Sequence, residues 1–328
     1  MAAGLPDPET LRAVLTLATQ APSVRNSQPW RWRVGPQGMD LYADPGRPPP
    51  TTDSGGRDLM LSCGASLHHC TVALAAMGWR ATVRRLPGPV RSGHLATVTV
   101  ARQAPGDLDI MLAAAIGRRR SDRRAYSSWP VPWGDVALMG ARAARAGVML
   151  RQVELMPRLS AMVAEAVARY AAGEDHRSET AARGRRRGRM PDNGVLVALG
   201  TEADDDLARL RAGEATSLVL LSATAMGLAT CAVSEPLEIA ETREAVRADV
   251  FGATGYPQIL MRVGWAPVDA EPLPATPRRP LPEVADWVQA PARRPAGRGP
   301  AGTSAAPPRT AHAPAQAAGA RWTGDRPG

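Results

Sequence analysis

The segment Ala21-Pro22-Ser23-Val24-Arg25-Asn26-Ser27-Gln28-Pro29-Trp30 lies where a helix pattern ends and a strand pattern begins. Pro22 and Pro29 fix the backbone at either end of it. Between them stand Ser23, Asn26, Ser27 and Gln28, four hydrogen-bonding side chains in six residues. A rigid turn of this make-up suits the clasping of a flat polar ring; the plainer reading is a proline-bounded loop.

The surrounding chain reads as alternating helices and strands. Asp7, Pro8 and Glu9 form a helix start: a capping side chain, a proline in the first turn and an acid at the positive end of the dipole. Leu11, Val14, Leu15 and Ala18 give that helix its apolar face. Trp30–Val34 and Met39–Ala43, joined by Gly35–Gly38, read as a hairpin with Trp30 and Trp32 in its core. Asp53 is a candidate cap for a long helix ending at Gly78. Strands are expected near 82–86 and 95–101, helices near 108–117 and 135–146, a strand at 148–153 and a helix through Tyr170. Residues 173–193 read as a mobile Arg-rich loop. A strand at 195–201, a long helix from Asp205 to Gly227, a short helix after Pro236 and a strand at 258–263 follow. The charge-free window Ala215–Ser234 reads as a buried helix running into a strand, because its Thr, Ser and Gly residues dilute the hydrophobicity and acids flank it.

Composition removes several classes of chemistry. All 40 basic residues are arginine, so a Schiff-base lysine and a phosphate-binding P-loop lysine are excluded. Cys63, Cys70 and Cys231 show no Cys-x-x-Cys spacing, which suits a reducing compartment, and Cys63 and Cys70 read as core packing on one helix face. His68 and His69 read as packing or capping locally. No His-Glu-x-x-His set or Gly-x-Ser-x-Gly elbow is present, so neither a metal site nor a hydrolase triad is expected. The N-terminus shows no signal-peptide pattern, and a cytoplasmic location is expected. From Trp287 onward the chain is Pro, Ala, Gly and Arg without apolar period; its six arginines and one aspartate hold five of the nine net positive charges. Such a tail reads as disordered.

The chain also repeats itself. Gly64 aligns with Gly213, Leu74 stands near Leu221, and the Ala-Met-Gly endings at Gly78 and Gly227 coincide. This predicts two halves of one architecture in a single chain, able to behave as a fused dimer.

The A-P-S-x-x-N-x-Q-P-W segment resembles the flavin-contacting turn of the FMN-dependent nitroreductases. Further likeness is carried by Gly56-Arg57-Asp58-Leu59 with Ser62-Cys63-Gly64-Ala65, Arg120-Ser121-Asp122-Arg123-Arg124, Leu210-Arg211-Ala212-Gly213-Glu214, Gly255-Tyr256-Pro257-Gln258 and Pro277-Arg278-Arg279-Pro280. In this order they resemble most the Acg-type, actinobacterial branch, whose chains hold two nitroreductase-like halves. The resemblance implies an α+β nitroreductase-like fold in which two half-domains form an intrachain pseudo-dimer. The halves are residues 1–104, with the ring-edge turn, and residues 105–286, with the phosphate site. A shortened lid region at 173–193 and the tail at 287–328 complete the division.

The same resemblance assigns a flavin site. Ser23, Asn26 and Gln28 fall at the ring edge; Arg119, Arg120 and Ser121, with Arg278 and Arg279, fall at the phosphate, which needs the directed donors that arginine supplies. Val233, Ser234 and Glu235 fall where backbone groups meet the reactive side of the ring, and Arg57 is a donor to ring or ribityl. The first half lacks an Arg-x-Ser, and the second lacks the ring-edge turn. One intact FMN site and one degenerate site per chain are therefore expected.

The implied activity is transfer of a hydride from NAD(P)H through the flavin to a small aromatic or quinone-like acceptor, with no catalytic side-chain acid or base. A flavin store with little turnover is the alternative. A third reading, nucleic-acid association, rests on the sequence pI near 10.7 and the Arg-rich tail and loop. It lacks any nucleic-acid-reading motif. The expected partners are a small-molecule substrate and no membrane, with the chain a monomer.

Overall fold

A computed structural model describes residues 5–44, 46–47, 55–88, 92–154, 161–162, 165 and 193–288. The first helix, α1 (Pro8–Ala18), is capped by Asp7, whose Oδ1 accepts from the backbone N–H groups of Glu9 and Thr10. Its buried residues are Leu11, Val14, Leu15 and Ala18. Strands β1 (Trp30–Gly35) and β2 (Gly38–Ala43) form the hairpin, in register from Trp30 opposite Ala43 to Gly35 opposite Gly38. Trp30 and Trp32 are completely buried. The apolar alternation of the two strands sets that register, since a slip of one residue would turn both tryptophans to solvent.

Helix α2 (Arg57–Ala76) begins after Gly56, which takes a left-handed φ of +66° as N-cap; the expected cap, Asp53, lies outside the described residues. Fifteen of the twenty residues of α2 are buried. It is long and apolar enough by composition to cross a membrane, yet 72% of that window is packed inside the fold. It ends at Gly78, with φ +84°, and the chain turns directly into β3 (Trp79–Arg85) and β4 (His94–Arg102). Helices α3 (Asp107–Ile116) and α4 (Trp133–Arg145) and strand β5 (Met149–Gln152) open the second half. Most of the helix expected through Tyr170, of which residues 161, 162 and 165 are described and helical, most of the shortened lid region and nearly all of the tail fall outside the described residues.

Strand β6 (Val195–Thr201), helix α5 (Asp206–Ala225, capped by Asp205), strand β7 (Ala229–Val233), helix α6 (Ala240–Phe251) and strand β8 (Tyr256–Gly264) follow. The charge-free window is thus the end of a buried helix and a strand.

The strand orders are the clearest trace of the repeat. One sheet runs β3-β4-β2-β1 and the other β7-β8-β6-β5, the same order of equivalent strands, all antiparallel. Helices α2 and α5 pack together between the sheets. At their crossing a Cβ on Gly64 would be driven into the backbone oxygen of Leu210, and one on Gly213 into that of Leu61. Each glycine meets the residue three positions before its counterpart, which is the reciprocity of a twofold interface.

One element breaks the division at residue 105. A last strand, β9 (Ala285–Trp287), leaves the second half and pairs in parallel with β1 at the edge of the first sheet. Its Asp286 is held to Arg31 by two hydrogen bonds of 2.7 and 2.8 Å. The described residues accordingly belong to one compact unit.

Candidate functional site: a cationic cavity between the two halves

The ring-edge turn is strained and tied down. Arg25, Asn26 and Gln28 all have positive φ, between 49° and 54°, a region that costs a residue with a Cβ about 1 kcal/mol. Hydrogen bonds hold it there. The backbone N–H of Gln28 donates to Ser23 Oγ (3.0 Å), that of Val24 to Ser62 Oγ on α2 (3.1 Å), and Asn26 Nδ2 to the Pro277 carbonyl (3.1 Å). Arg25 pairs with Glu238 of the second half at 2.9 Å. Strain held by so many partners marks a place where a conformation is imposed.

The turn borders a cavity of about 460 Å³, within the usual range for a cofactor-sized ligand. Its walls come from both halves: Leu61, Ser62 and Ala65 of α2, Thr216 and Leu220 of α5, and Ile259 of β8. Of the residues singled out in the sequence, Ser23, Asn26, Arg119, Ser121, Ser234, Glu235 and Arg278 line it. Segments distant in the chain thus meet at one place. Ser121 reaches it because residues 121 and 230 form an isolated parallel bridge, which draws the Arg119–Asp122 segment alongside β7.

Five singled-out residues lie outside this lining. Gln28 turns inward: its Oε1 accepts from the Arg279 N–H (2.8 Å) and its Nε2 donates to the Asn26 carbonyl (3.3 Å). Arg279 is engaged by Asp44 at 2.7 Å, which neutralises its charge. Arg120 faces a neighbouring groove and donates to the carbonyls of Gly117 and Arg119. Arg57 is buried at the start of α2 with Asp58 3.9 Å away. Val233 packs its side chain into the second-half core. Arg25, Ser62 and Arg123 line the cavity but enter the sequence reading only as members of their motifs, and Thr216 and Thr276 carry no sequence signal.

The electrostatics of the cavity are one-sided. Arg119 is 5% exposed and has no carboxylate partner among the described residues; its only side-chain hydrogen bond is to Ser121 Oγ at 3.4 Å. Burial, with the nearby charges of Arg278 and Arg120, pushes its pKa down to about 10. Arg278 is spent on neutral oxygens, those of Asn26 (side chain), Thr276, Pro277 and Gln20. Its pKa is lowered as well, by burial first and Arg120 second. The Nε–H groups of both arginines are buried without a hydrogen-bond partner among the described residues. One buried and one half-buried guanidinium on the same cavity, neither paired with a carboxylate among the described residues, are costly unless an anion completes them.

Fold and cavity together define an α+β protein of paired sheets with an arginine-lined cavity between its halves. Residues 116–265 match the nitroreductase family model. The chain is 52% identical over 320 residues to Rv3131 of Mycobacterium tuberculosis H37Rv, provisionally named an NAD(P)H nitroreductase, covering 87% of this chain and 93% of the relative. It is 33% identical over 319 residues to the Acg protein of the same organism, likewise provisionally named, covering 84% and 95%. Among solved structures, the FMN-dependent nitroreductase NfnB of Mycobacterium smegmatis in complex with NADPH aligns with a TM-score of 0.42 at 18% identity, over 56% of this chain and all of that one. The chain belongs to the nitroreductase family.

Proposed function

We propose that the chain binds one FMN in the cavity between its halves and acts as an NAD(P)H-dependent oxidoreductase. The observation that carries this reading is the pair of guanidiniums of Arg119, buried, and Arg278, half-buried, each with a buried and unmet Nε–H among the described residues beside the same 460 Å³ space. A phosphate monoester supplies the charge and acceptors they lack. Arg119, Ser121 and Arg278 would hold the phosphate, and Ser23, Asn26, Ser234 and Glu235 the remainder of the molecule. FMN, when bound, supplies hydride transfer between NAD(P)H and a small aromatic or quinone-like acceptor.

The chain's own part is to orient and to bias. The strained turn fixes one wall, the α2–α5 pair another, and Arg119 and Arg278, which have no carboxylate partner among the described residues, outnumber Glu235 in the lining, so the site favours a negative guest. The two halves take the places of two subunits, which makes the monomer sufficient. The three buried thiols fit a reducing compartment, the cytoplasm.

The test is an absorbance spectrum of the protein reconstituted with FMN, followed by anaerobic NADPH or NADH. A retained flavin band that bleaches within seconds is the expected result. A flavin held but left oxidised would turn the reading to storage, and no retained flavin would overturn it.

A further inference from the structure

Ser62 and Ala65 present one face of α2 to the cavity. One turn further along that face stands His69. It is completely buried, and neither ring nitrogen has a hydrogen-bond partner among the described residues. Its neighbour shows the ordinary solution: His68 Nδ1 lies 2.8 Å from Ser217 Oγ. The ionisable groups that bear on His69 are His68, Arg119 and Arg278. Burial first, and then His68 and the charges of Arg119 and Arg278, hold its pKa well below the usual imidazole value, so the ring is neutral and carries one N–H. The same two arginines that lack partners at Nε are therefore the ones whose charge reaches His69.

An imidazole N–H and two guanidinium Nε–H groups are three donors in need of an acceptor. A tetrahedral oxyanion offers enough lone pairs to serve all three, and its charge relieves the repulsion among the cations. We propose that His69 is the third donor of a buried anion site shared with Arg119 and Arg278, and that this site takes the phosphate monoester of the bound flavin. The identity of the guest rests on the function proposed above; the anion site itself does not.

The experiment uses the full chain and its His69→Phe and His69→Gln variants. FMN and riboflavin are titrated separately by quenching of flavin fluorescence. His69→Phe should weaken FMN about ten-fold or more, the worth of a hydrogen bond to a charged group. Riboflavin binding should stay unchanged, and His69→Gln, which keeps an N–H donor, should recover most of the FMN affinity. Equal losses for FMN and riboflavin, or a glutamine variant as weak as the phenylalanine one, would reduce His69 to packing and overturn the proposal.

A second measurement needs no variant to fold. The ring nitrogen resonances of ¹⁵N-histidine-labelled, flavin-free wild type are followed while inorganic phosphate is added, with chloride at matched ionic strength as the control. A His69 shift specific to phosphate supports the site, and its absence overturns it. Phosphate binding at His69 in a protein that does not hold FMN would leave this site standing and overturn the flavin reading alone.

Discussion

Adding one methyl group at Gly213 should loosen both the fold and the site. A Cβ there would press on the Leu61 carbonyl oxygen and lie 2.8 and 2.9 Å from the Leu61 carbonyl carbon and Cα. All of these are backbone atoms of α2, so no side chain can swing away. Restoring the roughly 3.5 Å spacing of non-bonded carbons requires the two helices to part by the order of 1 Å. Overpacking of this kind costs about 3 kcal/mol at the upper end of its usual range, and the better helix propensity of alanine returns about 1 kcal/mol. The net is about 2 kcal/mol, or roughly 4–8 °C in melting temperature for a domain of this size. Gly64→Ala should behave alike, because its Cβ would lie 3.0 Å from both Glu214 N and Gly213 Cα. Since the two glycines meet at one crossing, the first substitution opens space for the second, and the double variant should cost clearly less than the sum. FMN affinity should fall in step, because Leu61, Ser62, Ala65 and Thr216 lie on these helices and line the cavity. The assay is thermal unfolding of the four proteins with and without FMN. A neutral Gly213→Ala, or strict additivity in the double variant, would refute the close crossing.

Three further outcomes follow from the same geometry. Arg119→Met should raise the melting temperature of the flavin-free protein, by about 1 kcal/mol or more because it removes an unpaired buried charge, while weakening FMN about ten-fold to a hundred-fold; a flavin-free protein made less stable would show that Arg119 is already compensated. At Asp204, burial opposes ionisation, but Arg209, Gln258 and Arg243 outweigh it and hold the pKa at about 2. This lowered pKa contributes on the order of 1–2 kcal/mol that is fully present above about pH 4 and lost as pH falls through 2; urea midpoints against pH should therefore diverge between wild type and Asp204→Asn at neutral pH and converge in acid. Arg85→Met strands the Glu214 carboxylate, which Arg85 holds at 2.6 and 2.7 Å, and should cost about 3 kcal/mol, with Arg85→Met/Glu214→Leu recovering most of it in denaturant unfolding.

What could be read from the chain alone depended on how local its cause was. The cap at Asp7, the four buried residues of α1 and the β1–β2 hairpin follow from neighbours in sequence, and they appear as read. The glycine correspondence was legible because Gly64 and Gly213 answer to each other's backbone. The parallel pairing of β9 with β1 was not legible, since three residues carry no period and the partner lies some 250 positions away. Within the site, residue type pointed to the cavity where a charge had no local partner. Arg119 and Arg278 reached it, whereas Arg279 was claimed by Asp44 and Gln28 by Arg279. A list of arginines cannot separate these cases, because Arg279 meets its carboxylate, Asp44, 235 positions away, and Arg120 turns to the carbonyls of Gly117 and Arg119 only in the folded chain.

The repeat also bears on why the open cavity belongs to one side of the pseudo-twofold. Gly64 and Gly213 correspond, so Ala65 corresponds to Glu214; Gly78 and Gly227 correspond, so Ser234 corresponds to Arg85. On one side of the α2–α5 crossing these positions hold a methyl and a hydroxymethyl group, and both line the cavity. On the other they hold a carboxylate and a guanidinium joined by two short hydrogen bonds across the halves. The same two positions leave space where they are small and fill it where they are long and opposite in charge. Filling has a physical use. A second cationic cavity would add desolvated charge to a fold that already carries Arg119 and Arg278 uncompensated, whereas a bidentate pair buries charge with its partner and staples the first half's β3 to the second half's α5. The pair that closes one place thereby helps hold together the two halves that form the other.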